Sequence, residues 1–89
     1  MTARRYRLEG RVQGVGFRAF TARLARSLGV RGAARNEPDG TVTVIAEGEG
    51  AALDRFRAGI ERGPSLARVE RVVESEATAG EGDSFDVRF

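Results

Sequence analysis

Over residues 5–12, Tyr6, Leu8, Gly10 and Val12 alternate with Arg5, Arg7, Glu9 and Arg11, the two-residue period of a strand with one buried face. After Gln13-Gly14-Val15-Gly16 the period changes. Phe17, Phe20, Leu24 and Leu28 recur at three- and four-residue steps, with Arg18, Arg23 and Arg26 off the stripe, which predicts an amphipathic helix stopped by Gly29. Residues 30–36 and 41–48 read as two strands separated by Glu37-Pro38-Asp39-Gly40 in turn-favouring order, and so as a hairpin. Leu53, Phe56 and Ile60 mark a second helix ending at Gly63-Pro64. Residues 67–77 predict a fourth strand, in which adjacent Val72 and Val73 disturb the alternation and mark a bulge. Residues 79–84 read as a loop, and Phe85, Val87 and Phe89 alternate as the core-facing set of a short last strand.

The order is therefore βαββαβ plus a terminal strand. That is the split βαβ, ferredoxin-like α+β sandwich: an antiparallel sheet in two layers with two helices on one face. No linker or repeat interrupts it, so residues 1–89 are expected to form a single domain. A domain of this size buries only about two-thirds of the surface its unfolded chain exposes, so each element depends on its neighbours.

Composition narrows the chemistry. The chain has no Cys, His or Trp, and all fifteen of its positive charges are arginines. Zinc, haem and iron–sulfur ligation by the usual side chains is excluded, as are a thiolate, a phospho-histidine and a Schiff-base lysine. Catalysis is left to Arg, carboxylates, hydroxyls, the single Tyr6, Asn36 and Gln13, and backbone amides. Against thirteen acids the net charge is only +2. The arginines are spread along the chain, as on a solvated surface, and Arg11 and Arg35 read the same way. The polar, basic first residues carry neither a signal peptide nor a membrane span, and a cytoplasmic location is expected.

Three readings meet at the glycines between the first strand and first helix. Gly14-Val15-Gly16-Phe17-Arg18-Ala19 fits a dinucleotide fingerprint, G-x-G-x-x-A, with Glu37 and Asp39 about twenty residues on. The hairpin that follows, and the short chain, argue against a doubly wound sheet. A second reading is a tight turn with close helix–sheet packing. A third is an anion cradle. The first helical amides have no partner in the helix, the macrodipole adds partial positive charge, and glycines clear the approach. Arg18, in the first helical turn, brings a planar fork suited to phosphate oxygens.

The residues Leu8-Glu9-Gly10-Arg11-Val12-Gln13-Gly14-Val15-Gly16-Phe17-Arg18 resemble the first signature of the acylphosphatase family at every defined position. A second family signature is matched by Gly32, Ala34, Arg35, Asn36, Gly40, Val42 and Gly48, while Ala33 stands where the family usually has an aromatic residue. The resemblance covers the whole chain. It implies a small cytosolic hydrolase of acyl phosphates, acting as a monomer on a small molecule, without metal, cofactor or covalent phosphoenzyme. By motif position, Arg18 would bind the phosphoryl oxygens beside the amides of Gln13, Gly14, Val15, Gly16 and Phe17, and Asn36 would hold the attacking water. The Gln13 side chain is expected to shape the loop rather than touch substrate. Ala33 is expected to alter packing near Asn36 or substrate preference, with activity retained.

A rival of another class is a phosphate- or RNA-binding module without turnover. RNA-binding sheets of this fold stack bases on aromatic side chains, and the strands here offer only Tyr6, Phe85 and Phe89, so no nucleic-acid partner is expected. Acylphosphatase-like domains also open larger hydrogenase-maturation proteins; the single-domain length favours a free-standing enzyme.

Overall fold

The computed structural model describes residues 2–78 and 86–88. Its elements are β1 (Thr2–Arg11), α1 (Phe17–Leu28), β2 (Arg31–Asn36), β3 (Val42–Gly48), α2 (Gly50–Arg62), β4 (Arg68–Glu76) and β5 (Asp86–Arg88). The strands form one sheet in the order β4-β1-β3-β2-β5. β3 is antiparallel to both β1 and β2, and β4 is antiparallel to β1. Each βαβ unit therefore straddles a strand of the other, the split arrangement expected from the element order. β5 departs from the antiparallel pattern, pairing with β2 in parallel through Ala33–Asp86 and Ala34–Val87. The loop expected over 79–84, together with Phe85 and Phe89, lies outside the described residues.

The pleat sorts the strands. Tyr6 and Leu8 of β1, Ala34 of β2, and Val42, Val44 and Ala46 of β3 are buried in one core with Leu53, Phe56 and Ile60 of α2. Arg5, Arg7 and Arg35, at the alternate positions, are exposed on the opposite face. Tyr6 and Phe56 meet with ring centroids 6.0 Å apart and a tilt of 58°, an edge-favouring geometry that stabilises aromatic pairs beyond their buried area.

The first helix corrects the sequence reading of its face. Its buried residues are Phe17, Thr21, Ala22 and Ala25, whereas Leu24 and Leu28 are only partly buried and pack at the rim of the core. Small side chains let the helix lie close to the sheet, so the long leucines splay sideways. Leu24 reaches α2, where it lies against Gly59. The bulge is also displaced from the adjacent valines. Val72 pairs with Leu8 and Val73 with Arg7 in regular register, and the shift comes at Glu9/Gly10, where Glu9 faces Arg71 and Gly10 faces Val69. Val72 packs against the core and Val73 is exposed, one valine for each face of the strand.

Candidate active site

Topology assembles the site before any side chain does. β1 and β2 both run antiparallel to β3, so they are parallel to one another and end at the same end of the sheet. Val42 of β3 faces Leu8 on one side and Asn36 on the other. Asn36 thus lies two strand spacings, about 10 Å, across from Leu8, and the loop leaving β1 arches toward it.

That loop is held by its valines and shaped by its glycines. Val12 and Val15 are 1% and 7% exposed, with their side chains in the core. Between and after them, Gly14 and Gly16 take φ of 72° and 75°. This is the left-handed region, which costs an L side chain roughly 1–2 kcal/mol. A Cβ at either glycine would meet nothing within 4 Å, so the backbone angle, rather than crowding inside the chain, calls for glycine here.

Gly16 is also the N-cap of α1. No side chain caps the helix, and no acid lies in its first turn. The first backbone bond into the helix is donated by the Phe20 amide to the Gly16 carbonyl, at 3.1 Å. Among the described residues, the amides from Gln13 to Ala19 donate to no backbone carbonyl. Most helices cover these groups with Ser, Thr, Asp or Asn. Here no side chain caps them, and they stand at the positive end of the helix dipole.

A cavity of about 270 Å³ opens there, lined by Val12, Gly14, Gly16, Phe17, Arg18, Ala19 and Asn36. Its volume suits a small ligand, and among the described residues Arg18 is the one charged residue in the lining. The Asn36 side-chain oxygen is buried without a hydrogen-bond partner. A buried polar atom left so costs about 1–3 kcal/mol, which a donor brought by a ligand or water would recover. The two ends of a carboxamide are nearly isosteric, so a turn about the last torsion exchanges donor and acceptor at the cavity.

The hairpin beyond Asn36 is tied down by its own turn. The Glu37 amide donates to the Thr41 carbonyl at 2.9 Å and the Gly40 amide to the Glu37 carbonyl at 3.1 Å. Asp39 accepts from the Thr41 amide at 3.0 Å and from its hydroxyl at 2.6 Å. The Thr41 hydroxyl is the main reason the Asp39 carboxyl lies below its ordinary value. Glu37 is held low as well, first by the Thr43 hydroxyl and then by Arg35, whose guanidinium lies 3.0 Å away. Glu37 and Asp39 are therefore both stabilised in the ionised form, and neither lines the cavity.

Five of the residues expected from the sequence, Gly14, Gly16, Phe17, Arg18 and Asn36, come together on this cavity, and two do not line it. Val15 turns its side chain into the core. Gln13 reaches away from the cavity, donating from Nε2 to the Glu37 carbonyl at 2.8 Å and to the Thr41 carbonyl at 2.9 Å. Val12 and Ala19 also line the cavity and were not expected there; as small apolar residues they carry no chemical signal, and only their position beside the glycines marks them. Ala33 sits on the other face of β2, opposite Ile45. It is absent from the described lining.

The acylphosphatase family model matches residues 4–87. An acylphosphatase of Nitratidesulfovibrio vulgaris (strain Hildenborough) is 48% identical over 92 residues, covering 100% of this chain and 92% of its own length. One of Thermotoga maritima is 45% identical over 89 residues, covering 100% of this chain and 99% of that protein. The crystal structure of acylphosphatase from Bacillus subtilis superposes with a TM-score of 0.89 at 34% identity, each chain covered over 100% of its length. Likeness that runs through the loop, the hairpin and the whole sheet places this chain in the acylphosphatase family.

Proposed function

We propose that the chain hydrolyses acyl phosphates, R–CO–OPO₃²⁻ + H₂O → R–COO⁻ + H₂PO₄⁻, with the cavity above as its active site. The observation that carries this reading is the meeting of three features on that cavity: an uncapped helix N-terminus, one arginine, and a carboxamide whose oxygen has no partner. The amides from Gln13 to Phe17 and the Arg18 guanidinium hold the phosphoryl oxygens. Their charge stabilisation is preorganised, and removing one such donor costs on the order of 10²–10³ in kcat. Asn36 holds a water in line with the breaking P–O bond, and positioning is the other large contribution to phosphoryl transfer.

The protons follow from what the lining lacks. The leaving carboxylate is stable at neutral pH, so no general acid is required. Among the described residues no carboxylate lines the cavity to act as base; Glu37 is engaged by Arg35 and Asp39 by Thr41. The attacking water passes its proton to a phosphoryl oxygen of the substrate. No metal or cofactor takes part in this scheme. The same reading takes residues 1–89 as one acylphosphatase-like unit that acts as a monomer.

Benzoyl phosphate hydrolysis in the presence of EDTA tests it. The native chain is expected to turn over, and Asn36→Ala to lose about 100-fold or more in kcat. Inorganic phosphate should bind both alike, since Asn36 serves the water. If both bind phosphate and neither hydrolyses, the cradle stands, the enzyme reading fails, and a phosphate-binding module takes its place.

A further inference from the structure

Gln13 is the single glutamine of the chain and Asn36 its single asparagine. The two are connected. Both Nε2 hydrogens of Gln13 are donated across to the hairpin, to the carbonyls of Glu37 and Thr41 at 2.8 and 2.9 Å. Glu37 follows Asn36 directly, and its carbonyl together with that of Thr41 closes the turn. Among the described residues, these are the two hydrogen bonds that join residues 12–16 to residues 36–41.

We propose that Gln13 is a positioning residue, a strut that fixes the distance between the phosphoryl cradle and Asn36. The inference rests on the reading that the cradle holds the phosphoryl group and Asn36 the water. Each half of the site has its own internal support. The loop is anchored by Val12 and Val15, buried in the core, and Asn36 by its pairing with Val42. The sheet sets Leu8 against Asn36 through Val42, and the Gln13 bonds carry that spacing on to the loop beyond β1, on whose separation from Asn36 an in-line attack depends. A misplacement of about 1 Å in such an arrangement costs on the order of 10²-fold in rate.

The chemistry of the strut is specific. Two carbonyl acceptors need two N–H donors at the end of a two-methylene arm. A carboxylate of the same size would set oxygen against oxygen, and asparagine falls one methylene short. Each carbonyl also has a donor inside the turn, from Gly40 to Glu37 and from Glu37 to Thr41. Removing Gln13's two bonds therefore leaves neither oxygen without a partner, and Gln13→Met, of similar length and apolar, is expected to fold.

The test combines benzoyl phosphate kinetics, inorganic phosphate binding and the ¹⁵N spectrum. With one glutamine and one asparagine, the side-chain carboxamides give two NH₂ pairs, one for each residue. In the native chain the Gln13 pair should exchange slowly with water, because both hydrogens are bonded. In Gln13→Met, kcat should fall about 10- to 100-fold, the dissociation constant for phosphate should stay near the native value, and the Asn36 NH₂ pair should shift. Native kcat in Gln13→Met, or a native Gln13 pair exchanging as fast as a free carboxamide, overturns the strut and leaves the hydrolase standing. Loss of phosphate affinity in step with kcat also overturns it, because Gln13 would then act on the cradle itself. A native chain that binds phosphate without turnover overturns the hydrolase, and the positioning role with it.

Discussion

Among the described residues, helices α1 and α2 both begin without a side-chain cap and without an acid in the first turn, yet they are proposed to differ in function. α1 starts from Gly16 in the left-handed conformation, after a loop bent by Gly14. α2 starts from Glu49 at φ −69° and ψ 147°, ordinary extended backbone. The Leu53 amide donates to the Glu49 carbonyl just as Phe20 donates to Gly16, so the helices begin with the same bond. What differs is the surroundings. The α1 amides open on a cavity shared with Arg18 and Asn36, whereas α2 has Glu49 at its positive end, where a carboxylate already complements the dipole. A helix dipole is common to both and does not by itself make a phosphate site. On the proposed function, what makes one is the loop before α1, the cation beside its amides and the polar group facing them.

That contrast can be broken most severely at Arg18. Arg18→Gln keeps the helix and the loop amides and removes the one charge that the described residues bring to the cavity lining. It should lower kcat/KM for benzoyl phosphate by about 10²–10³ and weaken phosphate binding along with it. Asn36→Ala comes next and should separate turnover from binding, as described above. Because its oxygen is unpartnered in the folded chain, its removal should leave stability unchanged or raise it by about 1 kcal/mol, which chemical denaturation will read.

A smaller effect is expected from Gly16→Ala. The added methyl has room within the chain, so the loss of stability is the backbone strain alone, roughly 1–2 kcal/mol, with about 4–8 °C in Tm for each kcal/mol in a domain of this size. The smallest effect belongs to α2. Ala51→Arg puts an arginine at the second residue of α2, the position Arg18 holds in α1. It should change stability by no more than about 0.5 kcal/mol and create no phosphate site. Phosphate binding at α2 in that variant would show that a dipole and a cation suffice, contrary to the comparison.

The sequence was most legible where a residue's own backbone or chemistry fixes its role. Gly14 and Gly16 announce positive φ beside a helix start, and Arg18 and Asn36 are the polar groups at the ends of their elements. The period of β1 and of α2 named their buried faces, because large apolar residues carried both. On α1 the signal found Phe17 but not the rest of the contact face, Thr21, Ala22 and Ala25, because small residues add little to a hydrophobic stripe. The bulge was placed on Val72–Val73 because local alternation cannot reveal which strand lies opposite. Pairing with β1 decides it, and so does the parallel pairing of β5 with β2. The sequence reads Gln13 as a loop-shaping residue without naming its partners, which lie 24 and 28 residues away, a distance over which spacing alone says nothing.

The central claim is that the loop and first turn of α1 hold the phosphoryl group while the start of α2 does not. Titration of the ¹⁵N-labelled native chain with inorganic phosphate tests it directly. The backbone amides from Gln13 to Ala19 should shift together along one binding curve, with those from Gly50 to Leu53 unmoved. Shifts concentrated at α2, or spread over the exposed arginines with none at Gly14 and Gly16, would contradict it.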